Sequence, residues 1–105
     1  MAVNKVHQTA HILQYIDDES TFQVFEKVGN AYHLHFVRKR EVANGTAVSN
    51  IPQEYAPSSA KYGWGFYKQA SGYGLVAAYV NSSGIITLQA GQYDDPLAGA
   101  FDVYW

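Results

Sequence analysis

Of the 105 residues in this sequence, His33 and His35 are the pair best suited to chemistry. Two histidines two apart on an extended chain point to the same side, so both imidazoles could ligate one ion. Such a metal centre needs a third ligand, and none stands nearby in sequence. The competing expectation is two histidines on a partly solvated face or at a subunit contact. The carboxylate pairs Asp17-Asp18 and Asp94-Asp95 come next. Adjacent side chains diverge on an extended chain, whereas glycosidase chemistry needs two carboxyls facing one another across a bond. The loop at 93–96 offers oxygen ligands for calcium but lacks EF-hand spacing, and an aspartate before proline is a common turn former. With no cysteine there is no thiol nucleophile and no thiolate zinc site. No G-x-S-x-G elbow, phosphate loop or dinucleotide fingerprint is present. Nothing here gives a specific reason to expect an enzyme, and no catalytic residue, metal ligand or cofactor is assigned.

Binding chemistry is better represented. Tyr62, Trp64, Tyr67, Tyr73, Tyr93 and Tyr104 are the aromatic set that a saccharide-binding surface needs. A sugar ring packs its apolar C–H face on a flat aromatic side chain, and its hydroxyls need planar donors and acceptors. Gln92, Asp94 and Asp95, with His33, His35 or Arg38, could supply these. About half or more of the aromatic set is expected in the core, as is common in small β domains. The residues chosen as the candidate saccharide site are Trp64, Tyr62, His35, Asp94 and Asp95.

The elements that must position these residues read as strands. Residues 21–28 (TFQVFEKV) and 32–39 (YHLHFVRK) flank Gly29-Asn30, a two-residue hairpin signal. In the second strand Tyr32, Leu34 and Phe36 alternate with His33, His35 and Val37, giving one apolar and one mostly polar face. Adjacent Val24 and Phe25 suggest burial on both faces or a bulge. Asn44-Gly45 is the next turn, residues 46–51 form a short strand, and 51–59 (IPQEYAPSS) is an ordered connection without a helix. In 62–67 (YGWGFY), Tyr62, Trp64 and Phe66 share one face while glycine leaves the other bare for something to approach closely. Gly72 to Gly74 reads as a break. Residues 75–80 and 85–89 make a second hairpin around 81–84, 89–98 is a polar loop, and 99–105 ends as a strand with Phe101, Val103 and Trp105 on one face. Ten to sixteen (AHILQYI) fits a helical turn or a strand equally, and residues 1–20 are taken as a lead-in or neck segment ahead of a head domain at 21–105. The expected fold is all-β, a small antiparallel sandwich or barrel of jelly-roll-like character.

Composition bounds the partners. The chain has room for one core. Nine tyrosines in a chain with only 15% charged residues suit a globular domain with a wet, packed surface. A net charge of −2 gives no electrostatic basis for nucleic-acid binding. The run Arg38-Lys39-Arg40 reads as a solvated strand end. No segment has the pattern of a signal peptide or the length of a membrane span.

The order VFEKVGN, YHLHF, IPQEYAP and YVNSSGIITL before a terminal aromatic strand resembles the C-terminal head domains of bacteriophage tail-fibre and baseplate receptor-binding proteins, particularly of phages infecting lactic acid bacteria. The likeness covers about residues 21–105, and Glu54 stands where that family usually has glycine. The resemblance implies a homotrimeric β head on the phage tail tip, exposed to the medium, that adheres to host cell-wall saccharide and contacts other tail or baseplate proteins. Its motifs are structural punctuation, so no site residue carries over. Two other readings stand beside it: a structural baseplate or fibre module without its own ligand, and a cupin-like metal enzyme using His33 and His35. Gly29 and Glu41 miss the cupin distances by about two residues each.

Overall fold

The computed structural model describes residues 10–69, 72–90 and 96–105, with residues 68 and 69 described by backbone alone. Eight strands form among them: β1 (Ala10–Asp17), β2 (Thr21–Val28), β3 (Ala31–Val42), β4 (Thr46–Asn50), β5 (Lys61–Gln69), β6 (Gly72–Val80), β7 (Ile85–Gln89) and β8 (Leu97–Tyr104). They build two four-stranded antiparallel sheets, sheet A in the order β1-β2-β3-β8 and sheet B in the order β4-β7-β6-β5. Sheet B is a Greek key, with β4 returning beside β7. Among the described residues no hydrogen-bonded ladder joins the two sheets, so the all-β fold expected from the sequence is a sandwich and is not closed into a barrel.

Residues 10–16, compatible with either a turn of helix or a strand, form β1, which pairs with β2 from Ala10↔Val28 to Asp17↔Phe22. The boundary expected after Ser20 therefore falls in the β1–β2 turn, and β1 belongs to sheet A. Asp18 makes that turn, its carboxylate accepting the backbone N–H groups of Ser20 and Thr21 at 2.8 Å each. The bulge suspected near Val24 and Phe25 lies across the ladder, in β1 between Ile12 and Gln14. Strand β2 itself alternates, with Thr21, Gln23 and Phe25 buried. Between β2 and β3, Gly29 takes φ 61° and, among the described residues, no non-glycine has positive φ, the pattern of a type II′ hairpin. Gly72 to Gly74 is not a break but the start of β6, paired with β5 from Gln69↔Gly72. The connection after β4 contains a single 3-10 turn, Gln53–Tyr55.

The core lies between the sheets. Phe25, Leu34, Phe36, Phe101 and Val103 from sheet A meet Val76, Ala78, Val80, Ile86 and Leu88 from sheet B, all almost fully buried. Burial of this apolar area is the main force holding the sheets face to face. At one end Phe25, Tyr32, Tyr55 and Trp105 pack ring on ring, and the Trp105 indole N–H donates to the Tyr55 carbonyl at 3.1 Å.

The two long sides of the sandwich are held differently. On the β1–β4 side, fully buried Gln23 donates to Gln14 (2.6 Å) and to the Asn50 carbonyl (3.1 Å), and accepts from Ser49 (2.6 Å). On the other side β5 rests on β8. A Cβ built on Gly63 would lie 2.2 Å from the Asp102 carbonyl oxygen, and one on Gly65 2.5 Å from that of Ala100. The bare face read from YGWGFY is thus the inner one, and the backbone of β8 is what approaches it. Gly63→Ala is expected to cost at least about 3 kcal/mol, the upper end for overpacking because the obstacle is backbone; urea unfolding of the variant beside the native chain measures it.

Candidate functional site

Because the glycines of β5 face inward, strand alternation forces Tyr62, Trp64 and Phe66 outward. They are 51%, 62% and 73% exposed. Their cross-strand partners on β6 are Tyr79, Ala77 and Leu75, so the row is continued by Tyr79 and by Leu75 at 47% exposure. The rings of Tyr62 and Trp64 stack nearly parallel, with centroids 6.3 Å apart and planes 18° from parallel. Tyr62 also leans on Tyr79 at 5.2 Å. Exposed rings at these fractions, with Leu75, leave on the order of 500 Å² of mainly apolar surface, near the top of what monomers carry. On the next two strands the face continues with Ala77, Thr87 and Gln89, and none of these residues is charged.

The outer face of sheet A is built on opposite principles. His33 and His35 lie side by side on it, as the two-residue spacing requires, and the register brings Glu26 opposite His33 and Asp102 opposite His35. His33 Nδ1 is 2.9 Å from Glu26 Oε1, and its Nε2 is 2.8 Å from Asp102 Oδ1. His35 Nδ1 reaches the same Asp102 oxygen at 3.0 Å. A neutral imidazole has only one N–H, so two carboxylate acceptors on one ring require the imidazolium. Desolvation works against that charge, but the hydrogen bonds to Glu26 and Asp102 outweigh it and hold His33 above its ordinary 6.5. For Asp102, desolvation is again opposed and outweighed, here by the donors on His33 and His35, and its pKa lies below the ordinary 3.8. Tyr104 lies flat on His33, with centroids 4.5 Å apart and planes at 9°, a geometry favourable to a cation on a ring. Phe22 and then Tyr15 continue the surface edge-on beyond His35.

These partners bear on the metal reading. Both ring nitrogens of His33 are engaged by carboxylates, and among the described residues no three of His, Cys, Asp and Glu are arranged to hold one ion. A cleft of about 360 Å³ opens beside His33, lined by Glu26, Val28, Ala31, Tyr32 and Tyr104.

Of the five residues chosen from the sequence, Tyr62 and Trp64 stand together on the outer face of sheet B. His35 lies on the outer face of sheet A, so one copy of the chain does not join it to them. Asp94 and Asp95, with Gln92 and Tyr93, lie outside the described residues. The expectation that about half of the aromatic set is core does not hold for its described members. Tyr62, Trp64, Tyr73 and Tyr104 are exposed, Tyr67 is half-buried with its hydroxyl donating to Glu41, and phenylalanines fill the core instead. Sequence reasoning placed Phe66 on the face of Tyr62 and Trp64, but missed Glu26 and Asp102 as partners of the histidines and Leu75 as part of the exposed row. The basic run lies inside β3 and not at its end: Lys39 pairs with Asp17 at 2.9 Å and Arg40 with Glu19 at 2.8 Å, while half-buried Arg38 donates to the Arg40 carbonyl and the Thr21 hydroxyl.

A scan against known protein families finds no match, and a search of curated proteins finds no relative.

The signs of the two shifts define a pH window. The stabilisation from His33, whose folded pKa is raised, is fully present below about 6.5 and is lost as pH rises through the folded value. That from Asp102, whose folded pKa is lowered, is present above about 3.8 and is lost as pH falls through the folded value. The stability difference between the native chain and His33→Gln is therefore expected to shrink as pH rises above about 6.5 and through the raised folded pKa of His33, measured by urea midpoints at increasing pH.

Proposed function

We propose that this domain is an adhesion module, a receptor-binding head of the phage-tail type that holds host cell-wall saccharide without changing it chemically. One observation carries the reading: Tyr62 and Trp64 stack as a nearly parallel, uncharged pair of rings on the outside of β5, and no described residue covers them. Exposed rings of this kind suit contact with the C–H face of a sugar ring, and the hydroxyls of Tyr62 and Tyr79 with Gln89 offer polar partners beside them. A shallow site of this sort binds weakly by itself. In a trimer on a virion, linkage of copies raises apparent affinity roughly 10²–10⁴-fold, so a deep pocket is unnecessary.

A second reading is favoured by a different observation. Phe66 and Leu75, cross-strand neighbours on the same face, carry no polar group and are 73% and 47% exposed. An apolar flank suits contact with another protein surface better than contact with sugar. In this reading the domain is a structural baseplate or fibre module, and its aromatic row serves subunit contacts.

Trp64→Ala separates the two. Trp64 is largely solvated, so the variant is expected to fold with stability within about 0.5 kcal/mol of the native chain. If the platform binds sugar, retention on a glycan array or on purified cell-wall polysaccharide falls about tenfold or more, some 1.4 kcal/mol, while the mass in solution is unchanged. A variant that retains polysaccharide binding but loses its oligomeric mass favours the structural module.

A further inference from the structure

Three strands converge on one imidazole at the end of sheet A. Glu26 of β2 and Asp102 of β8 reach His33 of β3 from opposite sides, at 2.9 and 2.8 Å, and the ring of Tyr104 lies on its face at 4.5 Å. That ring is also one wall of the 360 Å³ cleft, whose other lining includes Glu26 and His33. The same cation thus ties together two carboxylates and seats the wall of a cavity. We propose that the protonation state of His33 sets the position of Tyr104 and with it the width of this cleft, so that the end of sheet A is a side wall operated by pH.

The direction follows from the inventory of neighbours. On this face β1 contributes Ile12, opposite Glu26; β2 contributes Val24, Glu26 and Val28; β3 contributes Ala31 and His35; and β8 contributes Asp102 and Tyr104. Among the described residues, the charged or titratable groups around His33 are therefore Glu26, Asp102, His35 and Tyr104. When His33 is protonated, each carboxylate receives an N–H. When it loses a proton, one nitrogen lone pair faces a carboxylate oxygen at hydrogen-bond distance, which is repulsive, and one side must open. Asp102 keeps a second donor in His35, at 3.0 Å, whereas the side-chain partner of Glu26 is His33. The remaining proton therefore stays on Nδ1, facing Glu26, and Asp102 is the group that moves away. Tyr104, two residues along the same strand, loses its seat on a cation at the same step. Raising the pH loosens the β8 side of the cleft, and lowering it restores the closed arrangement.

The test is a pH titration of the full chain by NMR, following the ring signals of His33, His35 and Tyr104. His33 is expected to titrate above 6.5, to end as the Nδ1–H tautomer, and to carry the Tyr104 ring signals with the same midpoint. Glu26→Gln, which keeps the shape of the side chain, is expected to lower that midpoint by about one unit or more, with Tyr104 moving along with it. In His35→Gln, Tyr104 is expected still to follow His33. A His33 midpoint at or below the free-imidazole value overturns the proposal. So do Tyr104 signals that stay flat across the His33 titration, or that follow His35 instead.

Discussion

Strand β5 can lie on the backbone of β8 only because Gly63 and Gly65 present no side chain there, leaving no room for even a methyl group at either position. That contact decides much of the rest. It brings the edge of sheet B onto the edge of sheet A without a hydrogen-bonded ladder, so the sandwich is held on this side by shape rather than by pairing. Strand alternation then leaves one direction for Tyr62, Trp64 and Phe66, which is outward. The exposed aromatic face is a consequence of how tightly the opposite face is packed. The far side of the sandwich uses a polar solution, buried Gln23 with its partners on β1 and β4, where unmade hydrogen bonds would be costly.

The two outer faces consequently offer different chemistry. Among its described side chains, the outer face of sheet B presents rings and uncharged aliphatic or small polar groups. Sheet A presents a row of alternating charge, Glu26, His33 and Asp102, bordered by Tyr104 on one side and by Phe22 and Tyr15 on the other. An ion pair network on one face and an apolar row on the other suit a domain that meets two different surroundings. That asymmetry fits a head that contacts sugar on one face, and equally a module that packs against another subunit there.

Local pattern carried the fold a long way. The Gly29-Asn30 and 81–84 turns, the alternation of Leu34 and Phe36 with the two histidines, and the bare face of YGWGFY are all properties of a few consecutive residues, and each stands where its chemistry requires. What depends on distant pairing was not legible. Asp102 meets His35 across 67 positions, and nothing in FDVYW names β3 as its neighbour. Strand β1 was ambiguous because its apolar residues Ile12, Leu13 and Ile16 fit neither period cleanly, and the bulge between Ile12 and Gln14 explains why. The aromatic set was expected to be half core because rings usually are. Its described members, half-buried Tyr67 apart, are exposed because the phenylalanines and branched aliphatic residues already fill the space between the sheets.

The central claim is that the Tyr62–Trp64 face is the ligand surface, and chemical-shift mapping tests it most directly. The labelled protein is titrated with cell-wall polysaccharide fragments from lactic acid bacteria, and the indole N–H of Trp64 is resolved from that of half-buried Trp105. The account predicts that Trp64 and the amides of β5 and β6 shift together in a saturable manner while the outer face of sheet A stays unchanged. Shifts confined to the His33 face, or a saccharide-bound protein in which Trp64 does not move, would contradict it.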